Sequence, residues 1–315
     1  MPDSTELMLT SELRAQTGSS RALERAALRD ALTRIRRGAY VTATDWRALT
    51  PEAQQRALIE AARRAARTEP LFSHESAAVV HGIPMIGNPP SRVHTTVTHG
   101  RAKTNGAVIR THQEVPDTDV VVSDDGMRVT SPVRTAIDLA ASGSALAGRF
   151  AVDHVRRHFG ATVDELHATL RAAGRIRGVR RARLAIDRSS ALSDSPLETL
   201  VMVRCRDLGF AQPEQQAEIR GVDGRRYRVD FAWERRRILL EADGRGKYAA
   251  LAAAAGLTPE EVVWQEKQRE NALRPTCDTL LRVMWADVWS GRELERRLAA
   301  AGVPRVRRRA ISMTF

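Results

Sequence analysis

The sequence predicts a mixed α and β chain of more than one domain. The chain has 315 residues, 43% of them hydrophobic, which suffices for two or three ordinary cores. Runs with helical spacing alternate with short runs of strand spacing. The last third reads in order as helix, three strands, helix and strand. The expected organisation is a helical start closed by a basic hairpin at 1–65, a mixed α/β and helical middle at 66–190, and an αβββαβ core with one further helix at 191–315.

In the first segment, Thr10 or Ser11 caps a helix through Gln16, and Gly18 breaks it. Ser19 or Ser20 then caps a second helix through about Leu32, with Leu23, Ala27 and Leu28 at helical spacing. The run Leu32–Val41 alternates Leu32, Arg34 and Arg36 against Thr33, Ile35 and Arg37, then turns near Gly38. Helix, turn, helix and basic hairpin is the plan of a winged helix-turn-helix. Arg21, Arg25 and Arg29 fall on one face of the second helix, suited to a major groove, while Arg34, Arg36 and Arg37 of the hairpin would hold phosphates. The same residues also suit a solvated basic helix beside a basic hairpin.

In the middle, Ser73–Pro84 reads as a short capped helix stopped by Gly82 and Pro84. Strands are expected at Arg92–Val97, Val108–His112 and Asp119–Val122. Ser131 and Pro132 open another helix, and arginine-rich helices fill Ala140–Ser189. His74 and Glu75 stand at a helix start, where such residues more often serve nearby backbone than chemistry. The hairpin Arg34–Val41, the run Ser73–Pro84 and the run Val129–Leu139 resemble actinobacterial proteins grouped with AbiEi-type antitoxins. That resemblance covers about the first 190 residues and implies a winged-helix transcriptional repressor with a cognate toxin as a partner. Many such proteins stand alone, so a toxin does not follow from it.

In the last segment, Ser195 caps a helix whose first turn holds Pro196 and Glu198, and Gly209 ends it. Strands follow at Gln215–Ile219, Arg226–Trp233 and Arg237–Ala242, then a helix at Pro259–Leu273, a strand at Thr279–Trp285 and a helix at Ser290–Ala301. Strand side chains alternate faces. A two-residue turn at Glu234-Arg235 would pair Val229 with Leu240 and Phe231 with Ile238, giving one apolar face. Asp230 would lie opposite Leu239 and diagonal to Glu241, with Asp243 beyond. Crowded carboxylates repel, and a divalent cation such as Mg²⁺ or Mn²⁺ would offset that cost.

The strings Val229-Asp230-Phe231 and Glu241-Ala-Asp-Gly244, in this element order, resemble the restriction-endonuclease-like PD-(D/E)XK nucleases, in particular the branch similar to very-short-patch-repair endonucleases. The resemblance implies metal-assisted phosphodiester hydrolysis of DNA, with metal ligands Asp230, Glu241 and Asp243 and with Glu198 as a metal or water ligand. One departure stands out: Asp243 occupies the position of the family's lysine. The only lysines are Lys103, Lys247 and Lys267, so Lys247 or Lys267 would have to replace it. Arg225, Arg226 and Arg228 lead into the site and would track a nucleic-acid backbone. The alternative is a non-catalytic repressor or antitoxin with a degenerate nuclease domain.

Composition bounds the rest. The formal net charge of +12 suits a polyanionic partner, although arginine richness is also common in GC-rich genomes. The polar start MPDSTELMLT and the lack of long apolar runs point away from a signal peptide and a membrane. Cys205 and Cys277 form no CxxC or Cys/His cluster, so neither a disulfide framework nor a structural zinc site is expected, and a reducing cytoplasm fits. The expected partners are DNA, with RNA still open, and a second copy of the chain.

Overall fold

The computed structural model describes residues 7–12, 23, 25, 29, 31–99, 109–243 and 258–306. The chain divides into two compact units, Met1–Ser189 and Ser190–Phe315. Among the described residues no helix is long and apolar enough to cross a membrane.

The first unit begins with a small sheet of β1 (Met8–Leu9), β2 (Leu32–Arg36) and β3 (Ala39–Thr42), in the order β1-β3-β2. The second helix expected through Leu32 ends sooner, because Leu32 pairs with Thr42 and joins the hairpin. Gly38 makes the turn at φ +79°, a conformation that glycine adopts without a Cβ penalty. A bulge between Arg34 and Arg36 breaks the alternation. It lets Ile35 pack on the core and re-aims Arg36.

Thr42 and Thr50 then cap α1 (Ala43–Ala48) and α2 (Pro51–Ala65) by accepting from the Asp45 and Ala53 amides. Leu58 and Ile59 of α2 pack with Phe72, Ala77, Val93 and Val129, so one core crosses the boundary expected at 65/66. That core lies on a five-stranded sheet of order β6-β5-β4-β8-β7. Its strands are β4 (Leu71–Phe72), β5 (Val93–Thr96), β6 (Ile109–Thr111), β7 (Val120–Val122) and β8 (Arg128–Thr130). The two-residue β4 and three-residue β8 are too short to show a period in sequence, yet they form the middle of the sheet.

Helix α3 (His74–His81) follows β4 and ends at Gly82 in the left-handed region. Helices α4 (Pro132–Ser142), α5 (Ala145–His158), α6 (Val163–Ala172) and α7 (Val179–Asp187) build a second core. Ile137, Ala140, Val152, Val155, Leu166 and Ile186 fill it.

The second unit runs α8 (Pro196–Asp207), β9 (Glu214–Arg220), β10 (Arg226–Trp233), β11 (Ile238–Ala242), α9 (Pro259–Leu273) and β12 (Thr279–Val283). Two short helices close it, α10 (Trp285–Trp289) and α11 (Arg292–Ala300). The sheet has the order β12-β11-β10-β9, with β12 parallel to β11 and the other pairs antiparallel.

The β10–β11 register differs from the expected one. The connection is a turn at Glu234–Arg236 closed by Arg237 at φ +50°, longer than two residues. Phe231 therefore pairs with Leu240 and Trp233 with Ile238, a shift of two positions. The single apolar face is also corrected. Val229 packs with Ala232, Leu239 and Leu273, and Phe231, Ile238 and Leu240 are buried as well. Both faces of this sheet are therefore covered.

A close approach between α4 and α5 gives a test. Replacing a helical glycine by alanine ordinarily stabilises by about 1 kcal/mol. A Cβ on Gly148 would meet the Ala140 Cα at 2.7 Å. Overpacking of this kind costs about 1–3 kcal/mol. Gly148→Ala is thus expected to lower stability, measured by urea unfolding followed by circular dichroism.

Candidate functional site

The carboxylates singled out in sequence gather at one end of the second unit's sheet. Glu198 sits in the first turn of α8, fully buried. Its Oε1 accepts from the Ser195 hydroxyl at 2.8 Å. Its Oε2 accepts from the Asp194 amide at 3.0 Å and from Gln216 Nε2 at 2.8 Å. Gln216, at φ +55°, interrupts the ladder between β9 and β10 where Asp230 would be its partner. The β10–β11 ladder stops at Phe231 and Leu240. One step further, the Asp230 carboxylate replaces it and accepts the Ala242 amide through Oδ2 at 2.8 Å. The longer turn therefore brings Asp230 to the level of Glu241 itself, not diagonal to it. Asp243 follows, its amide bonded to the Val283 carbonyl at 2.8 Å.

Among the described residues the cation that meets Glu241 is Arg269. Arg269 Nη2 donates to Glu241 Oε1 at 2.6 Å and to the Arg228 carbonyl at 2.8 Å. Lys267 is exposed on the same helix, and Lys247 lies outside the described residues. Helical spacing explains the choice. Val262, Glu266, Arg269 and Leu273 recur at i, i+4, i+7 and i+11, the stripe that faces the core, whereas i+2 positions do not share a face. Arg282, the neighbour of Glu241 across β11 and β12, donates to Glu266 at 2.5 Å and pairs with Glu270 at 3.3 Å. Burial pushes the Glu241 carboxyl up to about 7; Arg269 opposes the rise and the Asp230 charge adds to it.

These residues do not fit a divalent metal centre as they stand. One Asp230 oxygen is committed to backbone, one Glu241 oxygen to Arg269, and both Glu198 oxygens to neighbours. Among the described residues no three His, Cys, Asp or Glu side chains already surround an ion-sized point.

The arginines expected to contact nucleic acid separate into groups. Arg25, Arg29, Arg34 and Arg37 are exposed, and Arg21 lies outside the described residues. Arg36 instead turns inward and donates to the Ala61 carbonyl at 2.9 Å, with burial lowering its pKa. Arg226 pairs with Glu218 at 3.2 Å and Arg228 with Asp194 at 2.9 Å, exposed ion pairs of small energetic weight.

A second cluster, in the first unit, is assembled from residues far apart in sequence. His74 and Glu75 of α3, His94 of β5 and His112 just after β6 converge. The His74 and His112 rings stack at 3.5 Å between centroids. Below them Arg134 donates to Asp119 and Asp138, each at 2.9 Å, all three buried. Burial depresses His74 and His112 to about 3. Burial would raise Glu75, but His94 outweighs it and holds that carboxyl at about 2. Only the pair His74-Glu75 was visible as a candidate in sequence; His94 and His112 look there like ordinary strand residues.

The raised Glu241 fixes the sign of a pH dependence. A carboxyl that is harder to ionise in the folded state stabilises the fold at low pH, and this contribution is lost as pH rises through about 7. Unfolding of the second unit, followed by tryptophan fluorescence, is expected to show stability falling between about pH 5 and pH 8. In Glu241→Gln that slope should vanish.

A family model for the AbiEi antitoxin C-terminal domain matches residues 70–187. No curated protein matches the chain. Among solved structures, the crystal structure of the RV2827C protein from Mycobacterium tuberculosis is similar at 12% identity and a TM-score of 0.37, covering 57% of this chain and 71% of that one. The residues matched by the first of these span the five-stranded sheet and the helices that follow it in the first unit.

Proposed function

We propose that this protein is a DNA-binding regulator of the AbiEi antitoxin kind, with a nuclease-like C-terminal unit that has lost its chemistry. The match at residues 70–187 is the observation that carries the regulatory reading. The charge of +12 suits a DNA partner. The hairpin presents Arg34 and Arg37 to solvent, as the wing of a winged helix would, and Arg25 and Arg29 are exposed before it. A cognate toxin and a second copy of the chain are the protein partners this reading implies, and the cytoplasm is its compartment.

The succession α8, β9, β10, β11, α9 and β12 supports a restriction-endonuclease-like core. Loss of cutting rests on Arg269, whose guanidinium takes the Glu241 oxygen that a metal would need. Its charge also relieves the repulsion that would otherwise recruit a cation.

One observation favours a second reading, a Mg²⁺- or Mn²⁺-dependent endonuclease. Asp230 and Glu241 stand level on adjacent strands, and the Asp230 charge adds to the burial that raises Glu241.

Two measurements test these readings. In gel shifts, Arg34→Ala with Arg37→Ala should weaken DNA binding and reduce the salt slope by about 2. Arg36→Ala should leave that slope unchanged and lower stability instead, because its partner is the Ala61 carbonyl. Binding that ignores the first pair refutes the hairpin's role. Incubation with Mg²⁺ or Mn²⁺ should leave supercoiled DNA intact. Cutting that Asp230→Asn abolishes would instead establish the endonuclease.

A further inference from the structure

The loop that follows α3 builds one wall of a cavity that the regulatory reading does not use. Gly82 ends α3 in the left-handed region, and the Ile83 amide returns to the Ala78 carbonyl at 2.9 Å. Ile83 is buried in the helical core, and Met85 packs against that core. Pro84, between them, restricts the backbone of the loop. Another wall is the joint of α4 and α5, where Leu139, Gly143, Ser144 and Ala147 lie. Close packing of Gly148 on Ala140 holds that joint. The space enclosed is about 310 Å³, at the lower end of the range that takes small organic ligands.

Pro84, Met85, Ile86, Pro90, Leu139 and Ala147 give the cavity a mostly apolar lining. Among the described residues that line it, Glu75 alone is charged, in a chain with 50 lysines and arginines. The Glu75 side chain is 25% exposed, while its Oε2 is buried 2.5 Å from His94 Nδ1. Among the described residues none makes a hydrogen bond to Oε1. Burial would raise this carboxyl, but His94 holds it at about 2, so it is ionised at ordinary pH. The basic groups nearby are otherwise engaged. Arg134 donates to both Asp119 and Asp138, and burial depresses His74 and His112 to about 3. An anion set in an apolar lining is costly unless a cation meets it.

We infer that this cavity binds a small organic cation, a primary ammonium or guanidinium on a compact apolar body, with Glu75 as the group that receives it. The cation donates an N–H to Oε1, a charge-assisted bond of the stronger kind. Its alkyl or aryl part displaces water along Met85, Ile86 and Leu139. The need for a donor is specific. A quaternary ammonium has no N–H and is held by aromatic faces, and among the described residues that line the cavity none is aromatic. An anionic ligand would face the Glu75 charge. None of the arginines assigned to DNA lines the cavity, so its ligand is independent of that reading.

The test uses the full-length protein with ¹³C-methyl methionine, the Met85 signal being assigned through Met85→Leu. Butylammonium should shift the Met85 methyl saturably, at concentrations about 10-fold or more below those butanol needs. Tetramethylammonium and butyrate should leave the signal in place. In Glu75→Gln the advantage of the amine over the alcohol should disappear. Ala147→Leu, which fills the cavity and leaves the carboxylate, should abolish the shift, and Glu241→Gln should behave as wild type. Absence of a saturable shift in folded wild-type protein at millimolar butylammonium overturns the proposal. So does an amine preference that persists in folded Glu75→Gln, or an equal response to tetramethylammonium. A short lysine peptide that shifts Met85 at lower concentration than butylammonium would assign the cavity to a partner's side chain and likewise overturn the small ligand. If Glu75→Gln fails to fold, Ala147→Leu decides, and undiminished binding there refutes the site.

Discussion

Arg269 donates to the Glu241 carboxylate and to the Arg228 carbonyl, and the acidic end of the second sheet is arranged around those two bonds. A carboxylate that is largely removed from water needs a positive partner or must give up its charge. Glu241 sits at that margin, pulled one way by burial and Asp230 and the other way by the guanidinium. Arg269 reaches it because α9 lays Val262, Glu266, Arg269 and Leu273 along its inner face. Arg282 and Glu266 extend the same compensation toward β12.

The first unit obeys the same constraint with different residues. Arg134, Asp119 and Asp138 are buried together, and their charges satisfy one another. His74 and His112 meet the constraint by giving up their charge, which burial makes costly. The cluster lies within the span matching the AbiEi antitoxin C-terminal domain.

Part of the local structure was legible. Ser131 and Ser195 each cap a helix by a bond to a nearby amide, an interaction that depends on three or four consecutive residues. The equally local caps Thr42 and Thr50, with the helices they open, went unread. The hairpin turn at Gly38 and the helix stop at Gly82 are equally local. Where reading failed, the deciding partner was distant. Arg36 looked like a wing arginine, but a bulge and the end of α2 turned it inward. Lys247 and Lys267 were singled out on residue type and scarcity, whereas the helical stripe through Val262 and Leu273 points to Arg269.

The sequence by itself determined the carboxylates Asp230 and Glu241 as neighbours on adjacent strands, because alternation and a short turn leave few other placements. It also determined the basic charge and the succession of elements in the last third. Only the tertiary structure decided the register, through a turn closed by Arg237 in the left-handed region. It also decided that α9 would answer Glu241 with a guanidinium, and that His94 and His112 would meet Glu75 across two strands and a helix. Such contacts depend on how sheets stack and helices cross, which no run of neighbouring residues encodes.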